Sequence, residues 1–210
     1  PRKSLVIYYE YFIRPIIDYG CILYDNCSLN LANKLDRVQR RAALIATGAY
    51  KVTENRLLLR DLGWDTLKTR RNYFKLLQYY KLINNLLPSY LNVLVPGQVS
   101  DTTTYNLRNT TQRRHRFHRL TSSFESFIPS STRLWNNQSN EIKNSLSLTV
   151  FKSKIRSKHA IDRCSPFFIG KHGNWLSRLI LRLSPLNAHR HTYNLIDNAH
   201  CPSCTNSWED

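Results

Sequence analysis

The sequence predicts a mainly α-helical protein: a helical bundle, then a basic loop-rich segment and further short helices. The clearest evidence is residues 31–50, where apolar residues recur at alternating steps of four and three, the spacing of one helical face: Leu31, Leu35, Val38, Ala42 and Ile45. Asn30 is the predicted N-cap of this helix, and Gly48 is its predicted C-terminal stop.

The same spacing and the positions of helix breakers organise the rest of the first 95 residues. Pro15 is expected to bend or restart the first helix, because proline removes one backbone hydrogen bond and clashes with the preceding turn. Asp65 follows a Gly63–Trp64 turn and is the predicted N-cap of a longer helix. Helices are therefore predicted at residues 5–24, 31–50, 54–61, 65–84 and 88–95, which together form a bundle at residues 1–95.

Composition changes at Pro96–Gly97. Residues 96–133 are rich in Ser, Thr, Asn and Arg and predict a basic connector of loops or short strands, with a solvated disordered linker as the alternative. Residues 134–188 predict a C-terminal helical segment. In it, Ser147 caps a helix that turns Leu148, Phe151 and Ile155 inward.

The charge balance points to a polyanionic partner. There are 31 Lys and Arg against 14 Asp and Glu, a formal net charge of +17, and 11% of residues are aromatic. This combination favours RNA, an RNA–DNA hybrid or DNA over a membrane surface, and no run is long enough to span a bilayer. Five unevenly spread cysteines and the lack of a signal-peptide pattern predict an intracellular location, nuclear or cytoplasmic.

Basic residues lie beside the apolar helical faces. On the helix at 31–50, Lys34, Arg37 and Arg41 form a stripe next to the apolar face, with Arg40 behind it. A solvated charged face is the alternative. The residues predicted to bind nucleic acid are Arg14, Lys34, Arg37, Arg40, Arg41, Arg70, Arg71, Arg113, Arg114 and Arg116, and His115 and His118 are expected to assist the last patch.

The sequence shows no catalytic centre. It has no Asp–Asp pair to hold divalent metal ions, no phosphate-cradling glycine loop and no recognisable Ser, His and Asp set. One metal-like signal remains, because Cys201 and Cys204 have the spacing that chelates zinc. They predict half of a zinc site; a site completed by upstream histidines and two reduced thiols are the alternatives.

Several short motifs together resemble a known family. The motifs occur in one order along the chain: Phe12-Ile13-Arg14-Pro15, Asp18-Tyr19-Gly20-Cys21, Leu35-Asp36-Arg37-Val38-Gln39-Arg40-Arg41-Ala42, Leu62-Gly63-Trp64-Asp65 with Arg70-Arg71, Tyr105-Asn106-Leu107-Arg108-Asn109, Leu134-Trp135-Asn136 and Ser147-Leu148 to Phe151-Lys152. This series resembles the region after the catalytic palm of non-LTR (LINE-like) retrotransposon reverse transcriptases, and it covers essentially the whole chain.

The resemblance implies a thumb, a helical bundle that grips the template–primer duplex, at residues 1–95. It also implies that residues 189–210 begin a cysteine–histidine motif, cut after two ligands. The catalytic aspartates and their Mg²⁺ would belong to an upstream palm of the same polyprotein. A methionine-free chain that starts at Pro1 fits a fragment, which could not polymerise alone.

The chain also departs from the family. Gln138–Ser139 stand where the family usually has Leu-Pro after the Leu-Trp-Asn phrase. This departure and the cut C-terminal motif also fit a decaying copy. The competing hypotheses are a stand-alone zinc-dependent interaction module and an inert relic of a decayed retrotransposon.

Overall fold

The computed structural model describes residues 2–102, 112–115 and 117–159, and in these residues the protein is mainly helical, as predicted. The only β-type pairing there is an isolated bridge between Gln98 and Arg113. The elements are α1 (Arg2–Tyr8), a π-helical turn (Tyr9–Ile13), α2 (Arg14–Asp18), α3 (Leu29–Thr47), α4 (Asn55–Leu62), α5 (Leu67–Ile83), 3₁₀ turns (Ser89–Leu94 and Val99–Thr102), α6 (Thr121–Phe124), α7 (Phe127–Asn136), α8 (Asn140–Lys143) and α9 (Leu148–His159).

The chain forms two compact units. Among the described residues, the first unit contains residues 2–14 and 34–66, and the second contains residues 15–33 and most of the chain after residue 66. Each unit is therefore built from separate stretches of the chain. The domain boundaries predicted at residues 95, 133 and 188 stay predictions.

The core of the first unit is small and aromatic. Tyr9 from the π-helical turn stacks on Trp64 with ring centroids 4.2 Å apart, and both rings are buried with Leu58 and Leu59 of α4. The indole Nε1 of Trp64 donates a hydrogen bond to Glu10 at 3.1 Å. The turn after α4 thus joins the first helical segment through one stacked pair and one polar contact.

Pro15 does not end the helix but changes its geometry. The chain remains helical through it, but the turn just before it widens to π-helical geometry, and the Arg14 N–H bonds to the Tyr9 carbonyl. A π-helical turn adds one residue per turn, which removes the clash that the proline ring would otherwise make with the preceding turn. The prediction of a bend or restart thus corresponds to a local widening of one continuous helical stretch.

The predicted apolar face of α3 is wrong. The buried residues of α3 are Gln39, Ala43 and Ala46, whereas Val38 is 45% exposed and Ile45 is 58% exposed. The helix is rotated by about one residue position, or roughly 100°, because its small alanines allow close packing against the Tyr9 and Leu58 side chains.

The ends of α3 give one wrong and one correct prediction. The helix begins at Leu29, so Asn30 is inside its first turn and not its N-cap. Gly48 does end the helix. It adopts a φ of +69°, a left-handed conformation that glycine reaches without steric cost, and its N–H bonds to the Leu44 carbonyl at 2.9 Å.

The core of the second unit forms where α5 meets α7 and α9. The side chains of Tyr79, Tyr80, Trp135, Phe151 and Ile155 are all buried there. Ser147 caps α9 as predicted, accepting the Val150 N–H at 3.3 Å, and Phe151 and Ile155 face inward as predicted. The capped α9 can therefore place both apolar side chains against α5.

Helix α7 occupies residues that were predicted to lie in or beside the connector loops. Its polar composition suggested a loop, but two of its hydroxyl groups bond to carbonyls one turn earlier, while the buried Ser131 hydroxyl has no partner among the described residues. Ser130 donates to the Ser126 carbonyl at 2.8 Å, and Thr132 donates to the Ile128 carbonyl at 2.8 Å. These small buried residues let α7 pack closely on α5, so a Ser- and Thr-rich stretch forms a core helix.

Candidate nucleic-acid interface

One face of α3 presents cations and aliphatic groups together. We define the α3 stripe as Lys34, Arg37, Val38, Arg41 and Ile45, all of which are exposed. At 100° per residue these five side chains fall within an arc of about 100°. Within the described part of the chain, no hydrogen-bond or ion-pair partner is found for the three cations. The α3 stripe can therefore offer three uncommitted positive charges to one ligand.

The α3 stripe contains no carboxylate. Asp36 is the only acidic residue of α3, and its position one residue before Arg37 turns its side chain about 100° away from that arginine. The aliphatic Val38 and Ile45 lie beside the cations and lower the local polarity of the surface. This arrangement suits contact with a phosphate backbone and the apolar edges of sugars.

Arg40 has a different environment from its neighbours. Its guanidinium donates to the Lys51 carbonyl at 2.7 Å and to the Thr53 carbonyl at 2.9 Å. These two bonds satisfy carbonyl groups in the turn between α3 and α4. The structure thus gives Arg40 a role in holding that turn, which the sequence pattern did not reveal.

Arg14 is paired within its own helical stretch. Its guanidinium lies 3.2 Å from Glu10 in an i, i+4 ion pair, and Glu10 also accepts the Trp64 indole hydrogen bond. The positive charge of Arg14 is therefore partly neutralised by the carboxylate that anchors the first core.

Arg70 and Arg71 belong to an ionic cluster inside the second unit. Arg70 pairs with Asp18, its Nε lying 3.1 Å from the carboxylate, and Arg71 pairs with Asp25 at 2.7 Å. Lys75, whose side chain is 4% exposed, also pairs with Asp25. We call these five residues the internal ionic cluster. Its contacts join positions 46 to 52 residues apart, so no local pattern could have predicted them.

Cys21 is buried beside the internal ionic cluster. Burial, followed by the nearby charge of Asp18, raises the pKa of its thiol to about 11. The folded state therefore disfavours the thiolate of Cys21 at pH 8. Cys27 is also a free cysteine but is only partly buried.

We expect Cys21 to resist alkylation in the native protein. Iodoacetamide at pH 8, followed by peptide mass mapping, should modify Cys27 at least about tenfold faster than Cys21, because the thiolate is the reacting species. In urea the two rates should converge. Rapid native modification of Cys21 would contradict its burial.

The segment around Arg113 is held by Asn136. The Arg113 N–H donates to the Asn136 Oδ1 at 3.0 Å, and the Asn136 amide donates back to the Arg113 carbonyl at 2.9 Å. The Arg113 guanidinium donates to the Pro96 carbonyl at 3.0 Å. Arg114 is exposed, and only its backbone has a partner among the described residues, the carbonyl of Gly97.

His115, which was expected to assist the positive patch, contacts Asn136. Its Nε2 lies 3.0 Å from the Asn136 amide nitrogen, whose orientation is set by the reciprocal bonds to Arg113. The imidazole must accept there, so its proton lies on Nδ1. Burial, then the charge of Arg133, lowers the pKa of His115. This shift favours the neutral form of the imidazole.

The remaining predicted site residues, Arg116, Cys201 and Cys204, lie outside the described residues, so the zinc half-site stays a prediction. Within the described part of the chain, no group of three or more His, Cys, Asp or Glu side chains could hold a metal ion. In that same part, no helix is long and apolar enough to cross a membrane.

No protein-family model matches the chain, and no significant match was found among curated proteins or among solved structures. The exposed cations of α3 are the strongest functional feature of the described residues.

Proposed function

We propose that the chain is a nucleic-acid-binding C-terminal region of a LINE-like reverse transcriptase, which grips a template–primer duplex without containing the catalytic palm. Its partners would be RNA, an RNA–DNA hybrid or DNA, together with the upstream palm of the same polyprotein. The α3 stripe is the single observation that carries the binding proposal.

The division of the cations into free and engaged groups supports this proposal. Arg37 and Arg41 stand in the Leu35 to Ala42 motif, Lys34 immediately precedes it, and all three have uncommitted positive charge among the described residues. Arg40, between them, bonds to backbone carbonyls instead. A row of free cations on one rigid helix binds phosphate without reading sequence, as a duplex grip requires.

The net charge supports the same ligand class. With a formal charge of +17, the protein attracts polyanions at long range, and the α3 stripe supplies a defined place of contact. No catalytic role is proposed for any residue of this chain. The Mg²⁺ of the reaction would be bound by the palm.

Removing the three free cations should weaken binding and its salt dependence together. We expect the variant with Lys34, Arg37 and Arg41 all replaced by alanine to lose most of its affinity for an RNA–DNA hybrid. Each lost phosphate contact removes about 0.7–0.9 from the slope of log K against log salt concentration, so the slope should fall by about 2–3. Fluorescence anisotropy at several salt concentrations would measure both effects.

A matched control variant distinguishes the loss of phosphate contacts from the loss of net charge. Arg56, Arg60 and Lys68 are also exposed, and replacing all three with alanine removes the same charge from other helices. We expect this control to change the salt slope by less than about 1. Equal slope changes in the two variants, or binding by the unaltered protein that does not respond to salt, would refute the proposed role of the α3 stripe.

A further inference from the structure

A groove in the second unit has a composition that no part of the proposed duplex grip explains. It has a volume of about 260 Å³, and aliphatic side chains from two separate segments, Val93, Leu94 and Ile128, form part of its wall. Arg114, His115 and His118 also line it. The groove therefore has apolar and cationic surfaces that could bind the two chemically different parts of one ligand.

The cationic side of the groove is held in place by the backbone. The Arg114 N–H bonds to the Gly97 carbonyl at 3.0 Å, and the Val99 N–H bonds to the Gln112 carbonyl at 3.0 Å. Asn136 pairs with both backbone groups of Arg113. The backbone of residues 112–114 is thus preorganised, and less ordering entropy is lost when the Arg114 side chain binds a ligand.

The charges of the groove favour an anion. Of its described lining residues none is acidic, and the exposed Arg114 side chain has no hydrogen-bond or ion-pair partner in the described part of the chain. Its guanidinium can contact two phosphate oxygens at once. His118, whose Nδ1 lies 2.9 Å from the Ser123 hydroxyl, stands on the same groove.

The volume of the groove and its aliphatic wall limit the size and the chemistry of the apolar part of the ligand. Apolar side chains line most small-ligand sites and can cover the flat face of a base, and a space of this size admits one such ring system and excludes a base-paired duplex. We propose that this groove binds one nucleotide of a single-stranded nucleic acid, with its base against Val93, Leu94 and Ile128 and its phosphate at Arg114. The ligand class rests on the proposed function, but the residues are separate from the α3 stripe.

Adenosine monophosphate is a suitable probe for the full 210-residue chain. In a protein labelled at Ile, Leu and Val methyl groups, we expect this probe to shift the methyl signals of Val93, Leu94 and Ile128 and the ring signals of His118. Adenosine should shift mainly the methyl signals, and inorganic phosphate should shift mainly the imidazole. No groove shift up to about 10 mM adenosine monophosphate would overturn the proposal.

Substitution of Arg114 tests the phosphate contact. We expect Arg114→Ala to weaken adenosine monophosphate binding about tenfold, as loss of a charge-assisted contact implies, while adenosine binding changes little. Arg119→Ala is the matched control, because Arg119 is also exposed but does not line the groove. Equal weakening by the two substitutions would overturn the assignment of the phosphate to Arg114. The methyl spectra without ligand would show that each variant is folded.

The variant that lacks the three cations of the α3 stripe distinguishes this inference from the proposed function. It should retain the adenosine monophosphate shifts with an unchanged dissociation constant. Loss of the groove shifts in that variant would overturn the inference that the two sites are independent. Retained groove shifts in a protein whose duplex binding does not depend on α3 would support the groove and refute the proposed grip.

Discussion

Replacing Asp25 with asparagine should destabilise the second unit by about 3–5 kcal/mol, the usual cost of breaking a buried ion pair from one side. Asp25 is the acceptor for both Arg71 and Lys75, and the side chains of these cations are 10% and 4% exposed. Asparagine keeps the shape but removes the charge, so two buried cations would lose their common counter-charge. Among the described residues, Lys75 would keep its hydrogen bond to Ser130, 3.1 Å away, but would have no carboxylate beside it.

Urea denaturation followed by circular dichroism would measure this loss. The midpoint of the transition that reports the second unit should fall while its slope stays the same, since the exposed area on unfolding is unchanged. Asp36→Asn is the control, because Asp36 is an exposed acid on α3 and its replacement should cost less than about 0.5 kcal/mol. A cost below about 1 kcal/mol for Asp25→Asn would contradict the structural role of the internal ionic cluster.

Replacing Phe151 with alanine should lower the free energy of unfolding of the second unit by about 3–5 kcal/mol. The Phe151 ring is 0% exposed, stacks on Tyr80 with centroids 4.2 Å apart, and lies 5.9 Å from the Trp135 ring. Alanine would leave a cavity between α5, α7 and α9 that rigid aromatic neighbours cannot fill. The near-ultraviolet dichroism of the aromatic cluster should weaken before the helical signal changes.

Val150→Ala provides the matched comparison, since Val150 is the neighbouring residue on α9 and is 42% exposed. We expect its replacement to change stability by less than about 0.5 kcal/mol. Similar losses for the two substitutions would show that α9 is stabilised by its own helical propensity and not by burial of Phe151.

The Phe151 and Asp25 variants test two kinds of contact: one that the sequence predicted and one that it did not. Phe151 was placed inward from the sequence, because Ser147 marks the start of α9 and the spacing to Leu148 and Ile155 defines one face. The role of Asp25 was not predicted. Its partners lie 46 and 50 residues further along the chain, and their pairing depends on how the segment before α3 packs against α5.

The basic residues also show which contacts the sequence can predict and which it cannot. Sequence spacing correctly groups Lys34, Arg37 and Arg41 on one side of α3, since helical geometry relates residues three and four apart. It could not separate them from Arg70 and Arg71, which neighbour acids from distant segments. Nor could it show that Arg40 bonds to the carbonyls of Lys51 and Thr53.

By itself, the sequence determined the helical class, the excess of positive charge, the stop of α3 at Gly48 and the inward face of α9. These are local or additive properties, decided by residue spacing, backbone conformation and composition. Only the tertiary structure decided which face of α3 is buried, which cations remain free and where Arg114 meets an aliphatic wall. Each of those depends on partners far along the chain, and in α3 the small alanines, not the larger Val38 and Ile45, fit the space beside Tyr9 and Leu58.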